Sequence, residues 1–224
     1  WCRVGEPPDG CIPQNTRVDR WVGVILLGAA LAMFAAGIVT ITVRLRRGRL
    51  GASLTFAENL NDFLCRFWWR FRRIGHSSVP REGPVLLAAN HTCAPDPLFI
   101  SAAARYRAIS FMIAQEYTGW PIVRFFVRVI ECIPVTRGGQ DTAAFKRAVR
   151  HLQAGKALCI FIEGRIMPPG ETSRPKDGVA MLARETGACV IPAHISGTTY
   201  RKGVVRGLLC RPRARVRLGR PVDL

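Results

Sequence analysis

The residues best suited to chemistry are a histidine and an aspartate that follow a short apolar segment, Val85 to Ala89. His91 lies just beyond this segment, and Asp96 comes five positions later. A carboxylate that binds one imidazole nitrogen leaves the other nitrogen free to take a proton. The pair therefore predicts general base chemistry on a substrate hydroxyl. A plain helix cap at Asp96 and an ordinary loop histidine at His91 are the open alternatives.

The sequence around this pair predicts a strand, a turn and a helix. Val85 to Ala89 is uniformly apolar and follows Gly83-Pro84, as is typical of a short buried strand. Pro97 favours the first position of a helix, with Asp96 as its N-cap. His91 would then lie at the carboxyl end of a strand, where open α/β sheets bind their ligands.

A second group of candidate residues follows two other apolar segments. Arg137 precedes two glycines, and an arginine at such a turn can bind a phosphate together with helix amides. Glu163, Gly164 and Arg165 follow a wholly apolar segment. Arg165 can bind a phosphate bidentately, Gly164 can let a ligand approach the backbone, and Glu163 can hold the arginine or accept a hydroxyl. The alternative for Arg137 is a solvated turn residue, and the alternative for Glu163 and Arg165 is a surface ion pair.

The last candidate position is a proline inside an apolar run. Pro192 cannot donate to a strand ladder, so it predicts an edge, a bulge or a strand shaped against a ligand. His194 has no carboxylate at a useful spacing, and we expect it to be structural. The eight cysteines show no metal-ligand spacing, so the sequence predicts no metal site. Those in apolar runs fit buried small side chains in a reducing compartment: Cys132, Cys159 and Cys189.

Strand-like and helix-like segments alternate after residue 84, which predicts an α/β fold with a mixed or mainly parallel central sheet flanked by helices. The 224 residues suffice for one such domain and an appendage. The predicted strands are 85–89, 109–114, 132–135, 157–162, 189–195 and 214–218. The predicted helices are 97–105, 117–130, 142–154 and 178–186.

The chain before this domain predicts attachment to a membrane. Residues 1–20 read as an extramembrane loop, and the chain starts at Trp1, so we expect it to be part of a longer protein. Residues 21–43 carry no charge and would span about 34 Å as a helix, enough to cross a bilayer, although a buried core helix is the alternative.

Residues 44–75 form the predicted basic juxtamembrane region. Within it, residues 58–74 predict an amphipathic helix that either lies in the headgroup plane or packs on its own domain. The arginines that follow the span place the catalytic domain, residues 76–224, on the cytoplasmic side of the membrane.

The charge balance favours an anionic partner. The formal net charge is +18, from 33 Lys and Arg against 15 Asp and Glu, and the isoelectric point is near 11.0. Nucleic acid, acidic lipid headgroups and an acidic carrier protein all fit such a surface. No recognisable nucleic-acid motif is present, so we expect no nucleic-acid partner.

Taken together, the motifs resemble the sequence blocks of the glycerolipid acyltransferase family. Asn90-His91 with Asp96 is similar to the NHxxxxD motif, and three later blocks follow in the family's order: Ile133 to Arg137, Phe161 to Arg165, and Val190 to Pro192. The third block departs from the usual Phe-Pro-Glu-Gly-Thr-Arg. Its form looks more like the acyltransferase part of bifunctional proteins that join 2-acylglycerophosphoethanolamine acyltransferase to an acyl-carrier-protein synthetase.

The resemblance implies a membrane-bound enzyme that moves a fatty acyl group from acyl-CoA or acyl carrier protein to the hydroxyl of a lysophospholipid such as 1-acylglycerol-3-phosphate, with no cofactor. His91 would be the base, Asp96 would fix its tautomer, and Cys93 would be a bystander. The substrate-binding residues would be Arg137, Glu163, Gly164, Arg165 and Pro192. The alternatives are a 2-acylglycerophosphoethanolamine acyltransferase and a non-catalytic, basic, membrane-tethered binding module.

Overall fold

The computed structural model describes residues 52–76, 78–104, 107–137, 141–168, 171, 177–200 and 204–222. The chain divides into two compact units, Trp1–Leu50 and Gly51–Leu224, and all described residues belong to the second. The predicted loop 1–20 and membrane helix 21–43 therefore lie outside the described residues. Within the described ranges, no helix is long and apolar enough to span a bilayer.

The described unit is a seven-stranded sheet with helices on its two faces, which confirms the predicted α/β class. The strands are β1 Arg72–Ile74, β2 Val85–Ala89, β3 Ile109–Ala114, β4 Ile133–Val135, β5 Ala157–Phe161, β6 Cys189–Ser196 and β7 Arg215–Leu218. The helices are α1 Ala52–Phe63, α2 Asp96–Ala104, α3 Pro121–Val129, α4 Thr142–Gln153, α5 Gly178–Thr186 and α6 Val204–Leu209.

The order of the strands places β2 near the middle of a mainly parallel sheet. The sheet order is β1-β7-β6-β2-β5-β3-β4. β2 pairs in parallel with both β5 and β6, and the only antiparallel pairing among the described strands joins β6 to β7. The carboxyl ends of β2, β5, β3, β4 and β6 consequently meet at one edge of the sheet, which is the edge expected to carry a ligand site.

Two apolar clusters cover the two faces of the sheet. The first packs α2 and the segment that follows α1 against one face through residues that include Trp69, Phe99, Leu87 and Ile191. The second packs α4 and α5 against the other face through Leu86, Leu152, Leu158 and Leu182, among others. β2 contributes alternate residues to the two clusters because successive side chains of a strand point to opposite faces.

Two predicted helices differ from the structure. The predicted helix 58–74 ends earlier: α1 stops at Phe63, a π-helical turn follows over Leu64–Trp68, and Arg72 already belongs to β1. The strand forms there because Arg72 donates its amide to the Ala214 carbonyl at 2.9 Å, so pairing with the end of the chain outweighs the helical pattern.

The predicted helix 117–130 is split. A 3₁₀ turn covers Gln115–Gly119, and α3 begins at Pro121. Proline has no amide hydrogen and restricts the residue before it to extended conformations, so a helix begins at Pro121 more readily than it passes through it. Trp120 is extended, with ψ 127°. Helix α6 was not predicted at all, because its six residues show no amphipathic repeat.

Candidate active site

Asp96 is the centre of the candidate site. Its side chain is fully buried, and its oxygens accept hydrogen bonds from the turn before α2. Oδ2 accepts from the Thr92 and Cys93 amides at 2.6 and 2.8 Å and contacts His91 Nδ1 at 2.9 Å. Oδ1 accepts from the Cys93 thiol at 2.9 Å. Asp96 therefore does not act as a plain N-cap for its own helix: it folds the preceding turn around its carboxylate.

His91 is held by this carboxylate on one side and by an aromatic ring on the other. Its imidazole stacks on the Phe161 ring with a centroid separation of 4.0 Å and an interplanar angle of 16°. Its side chain is 16% exposed. Because Nδ1 faces Asp96, Nε2 is the nitrogen left for proton transfer to a substrate. The sequence prediction that Asp96 reaches back to one imidazole nitrogen agrees with this geometry.

The backbone of His91 is fixed by the loop that follows β5. Glu163 Oε2 accepts a hydrogen bond from the His91 amide at 2.6 Å, and the Met167 amide donates to the His91 carbonyl at 2.8 Å. At the start of the same loop, the Ile162 amide donates to the Ala89 carbonyl at 3.0 Å. Glu163 was predicted to hold Arg165 or a ligand hydroxyl, but its observed partner is the histidine backbone.

Gly164 makes the turn that lets Glu163 point toward His91. Its φ is +67°, in the left-handed region, and its amide donates to the Phe161 carbonyl at 2.9 Å. Residues with a Cβ adopt this conformation at a cost, so glycine suits this position. The structure thus gives Gly164 a conformational role in the turn, beside the predicted role in letting a ligand approach.

The two predicted phosphate-binding arginines lie at different distances along the sheet edge. Arg165 is exposed and follows β5, the strand next to β2; in the described part of the chain it forms no ion pair. Arg137 follows β4, three strands from β2, which corresponds to about 14 Å. Arg137 also pairs with Glu116 at 2.9 Å and lies over the Tyr117 ring. Arg165 is therefore the better placed of the two for a ligand at His91.

Pro192 is not brought together with these residues. It is in register with Ala88, whereas Phe161, which stacks on the imidazole, pairs with Ala89 one step further and points to the opposite face. Gly219 donates its amide to the Pro192 carbonyl at 2.7 Å, so this carbonyl continues the β6–β7 pairing beyond Leu218. The predicted edge is wrong, because β6 is an interior strand. The predicted bulge agrees with the structure, because β6 pairs at Ala193–Leu218 and again at Val190–Val222, which leaves one extra residue on the segment opposite Pro192.

Several residues that shape the site were not predicted from the sequence. The Asn90 side chain donates to the Ile195 carbonyl at 3.0 Å and accepts from the Ile195 amide at 2.7 Å, which extends the β2–β6 pairing by one step. The Thr92 and Thr198 hydroxyls lie 2.6 Å apart and join the ends of the same two strands. An amide side chain directly after a buried central strand is the signal that could have indicated this role for Asn90.

Cys93 is a hydrogen-bond donor within the site. Burial, and after it the charge of Asp96, raise the pKa of the Cys93 thiol. The thiol therefore keeps its proton and donates to Asp96 Oδ1 instead of acting as a thiolate nucleophile. Within the described ranges, no group of three or more His, Cys, Asp or Glu side chains is arranged to hold a metal ion.

Comparison with known proteins agrees with the geometry. A family model described as Acyltransferase matches residues 70–196, which is more than half of the chain. A 1-acyl-sn-glycerol-3-phosphate acyltransferase of Borreliella burgdorferi is 27% identical over 128 residues, or 55% of this chain and 50% of that protein. One from Streptococcus pneumoniae is 23% identical over 140 residues, or 62% of this chain and 50% of that protein. The chain spans about half the length of these curated relatives.

A solved structure has the same fold. The crystal structure of the 1-acyl-sn-glycerophosphate acyltransferase PlsC from Thermotoga maritima matches with a TM-score of 0.63 at 21% identity, covering 90% of this chain and 86% of that one. At this identity the likeness establishes the fold alone. The family match over residues 70–196 contains His91, Asp96 and Glu163 and confirms the resemblance drawn from the sequence blocks. The chain belongs to the Acyltransferase family.

Proposed function

We propose that the protein transfers a fatty acyl group from a thioester, either acyl-CoA or acyl carrier protein, to the free hydroxyl of a lysophospholipid such as 1-acylglycerol-3-phosphate. The observation that carries this proposal is the contact of His91 Nδ1 with the buried Asp96 carboxylate at 2.9 Å, with Nε2 left for the substrate. The names of the two curated relatives support the choice of acceptor.

The proposed reaction needs one base and no covalent enzyme intermediate. His91 Nε2 takes the proton of the acceptor hydroxyl while its oxygen attacks the thioester carbonyl carbon. The new C–O bond forms, the C–S bond breaks, and the imidazolium returns the proton to the leaving thiolate. Asp96 stabilises the imidazolium and fixes its tautomer. A positioned base of this kind contributes about 10²–10⁴-fold to the rate.

The acceptor phosphate is the proposed ligand of Arg165. This arginine follows the strand next to β2 and, within the described ranges, is not neutralised by a carboxylate. A planar guanidinium can bind two phosphate oxygens at once. Arg137 is the second proposed phosphate ligand, but it must first give up its ion pair with Glu116, so its contribution is smaller. Gly164 and Glu163 support the site by shaping the turn.

Membrane attachment is part of the proposal, because an exposed apolar surface lies next to the catalytic turn. This apolar patch comprises Phe56, Phe63, Phe67 and Trp68 near α1, and Val205, Leu208 and Leu209 in α6. The Trp68 and Trp69 indole nitrogens both donate to the Leu208 carbonyl and join the two segments. Gly207 of α6 packs on Ala94, within the turn between His91 and Asp96.

An exposed patch of this composition suits the boundary between headgroups and acyl chains. Arg211 lies 4.9 Å from the Trp68 ring centroid and adds positive charge at its border. A site that adjoins this surface lets lysolipid and acyl chain enter from the bilayer. We propose that the predicted membrane helix 21–43 and this patch together hold the catalytic unit on the cytoplasmic face of a membrane.

The test is an acyl-transfer assay with purified protein in lipid, using acyl-CoA or acyl carrier protein as donor and 1-acylglycerol-3-phosphate or its ethanolamine analogue as acceptor. We expect transfer to the phosphate acceptor with at least one donor. Transfer to the ethanolamine lipid alone would move the function to lysophospholipid repair, the alternative that the form of the Glu163-Gly164-Arg165 block left open. Absence of transfer in all four combinations would contradict the proposal.

A further inference from the structure

One half of one sheet face is not covered by any helix of the described unit. Helices α4 and α5 pack on β2, β5 and β4 through the second cluster. On the same face, the side chains of β6, β7 and β1 are exposed toward the other end of the sheet: Pro192, His194, Arg215, Arg217 and Arg72. We call Arg72, Arg215, Arg217 and His194 the basic face.

The strand register brings arginines together on the basic face. Arg72 lies directly opposite Arg215, and Arg217 lies opposite His194. None of β1, β6 and β7 contains an aspartate or glutamate, and the ion pairs found among the described residues all lie elsewhere. Like charges directly opposite one another destabilise a sheet. The uncompensated arginines therefore fit a negatively charged partner.

The basic face points away from the apolar patch. The patch belongs to α1, the π-helical turn after it, and α6, which lie on the side of the first cluster. Helix α1 contacts α2, Cys65 and Trp69 are buried in this cluster, and Trp69 donates to the Leu208 carbonyl of α6. The basic face is the opposite surface of the same sheet, since Val216 and Leu218 of β7 point into the first cluster and Arg215 and Arg217 alternate with them. A membrane that covers the patch leaves the basic face open to a soluble partner.

The basic face also reaches the edge of the sheet that carries the catalytic turn. Arg215 is in register with Ser196 at the carboxyl end of β6. Two residues further, the Thr198 hydroxyl contacts the Thr92 hydroxyl, next to His91. A partner bound on the basic face could therefore extend a flexible arm around this edge to the histidine.

We propose that the basic face docks the acidic protein that carries the acyl thioester, an acyl carrier protein, and so selects the donor; this inference rests on the proposed acyl transfer. The arginines lie on two neighbouring strands, about 5 Å apart across strands and about 7 Å apart along β7. Such a row matches the carboxylates along an acidic helix. The phosphates of free CoA would instead need donors that converge in a pocket.

The test compares Arg215→Glu/Arg217→Glu with a control of equal charge change. Lys146→Glu/Arg150→Glu alters two exposed residues of α4, which contacts β4 and β5 at the other end of the sheet. Binding of palmitoyl acyl carrier protein is measured by surface plasmon resonance. The KM values for this donor and for palmitoyl-CoA are measured in the transfer assay. Binding to phosphatidylglycerol vesicles is measured in parallel.

We expect Arg215→Glu/Arg217→Glu to raise both the Kd and the KM for palmitoyl acyl carrier protein about tenfold or more, with kcat/KM for palmitoyl-CoA within about twofold of wild type. Added salt should weaken wild-type binding. The control should behave like the wild type.

Three results overturn the inference. The first is no binding of the carrier protein by the wild type, and the second is an unchanged Kd in Arg215→Glu/Arg217→Glu. The third is that this variant loses kcat/KM for palmitoyl-CoA, or binding to vesicles, as much as it loses carrier-protein binding. Failure of the proposed function is distinguishable, because it appears as absent transfer from both donors by the wild type, while the Kd comparison still decides the role of the face.

Discussion

Removal of the Glu163 carboxylate should slow catalysis without weakening acceptor binding. Glu163 Oε2 accepts from the His91 amide at 2.6 Å, so the variant Glu163→Ala leaves this amide without its partner. A hydrogen bond to a charged group is worth about 1.5–3 kcal/mol, and 1.36 kcal/mol is a factor of ten in rate. If all of this free energy serves to position the imidazole in the transition state, its loss lowers kcat about 10- to 150-fold.

The more conservative variant, Glu163→Gln, should have a kcat between those of the wild type and of Glu163→Ala. Glu163→Gln keeps an oxygen that can accept from the His91 amide but loses the charge, which is about half of the strength of such a bond. We expect kcat about 3- to 10-fold below wild type for this variant. Glu185→Ala, at an exposed position of α5, is the matched control and should leave kcat unchanged.

The assay is steady-state transfer from palmitoyl-CoA to 1-acylglycerol-3-phosphate in mixed micelles, with kcat and the acceptor KM measured separately. We predict that kcat falls while the acceptor KM stays within about twofold. A raised acceptor KM with an unchanged kcat would refute it and would restore the sequence prediction that Glu163 binds substrate.

Variants at three other positions test the remaining parts of the site. Arg165→Ala should raise the acceptor KM about tenfold or more with little change in kcat, because a charge-assisted phosphate contact is lost; an unchanged KM would remove Arg165 from the phosphate site. Cys93→Ala should lower kcat a few-fold and Cys93→Ser should restore it, because the thiol donates to Asp96 Oδ1. Since burial and the charge of Asp96 raise the pKa of the Cys93 thiol, iodoacetamide at about pH 8 should leave it unmodified in peptide mass spectra of the native protein; labelling there would contradict this. Pro192→Ala should leave the acceptor KM unchanged, because Pro192 is on the face opposite the imidazole; a raised KM would place it in the site after all.

The buried strands and the catalytic pair could be predicted from the sequence because each is specified locally. Val85–Ala89 is apolar at every position, so its burial on both faces follows from composition, and Pro97 fixes the start of a helix close to Asp96. These two boundaries place His91 and Asp96 at the ends of one short turn. The contact between the Asp96 carboxylate and His91 Nδ1 can then be predicted from this local sequence alone.

Contacts between distant segments could not be predicted in this way. The bond from the His91 amide to Glu163 depends on the pairing of β2 with β5, which no local pattern specifies. The end of α1 depends likewise on the pairing of Arg72 with the end of the chain. The face on which Pro192 lies depends on the register of β6, which a shift of one residue would reverse.

The most direct test of the account is the rate of acyl transfer by His91→Ala, measured beside its thermal unfolding. The imidazole contacts Asp96 and stacks on Phe161 but is partly exposed at the sheet edge, so its loss should leave the fold intact. We predict that transfer to 1-acylglycerol-3-phosphate falls about 10²-fold or more, with Tm within a few degrees of wild type. Near wild-type turnover by a folded His91→Ala protein would contradict the assignment of this histidine as the base.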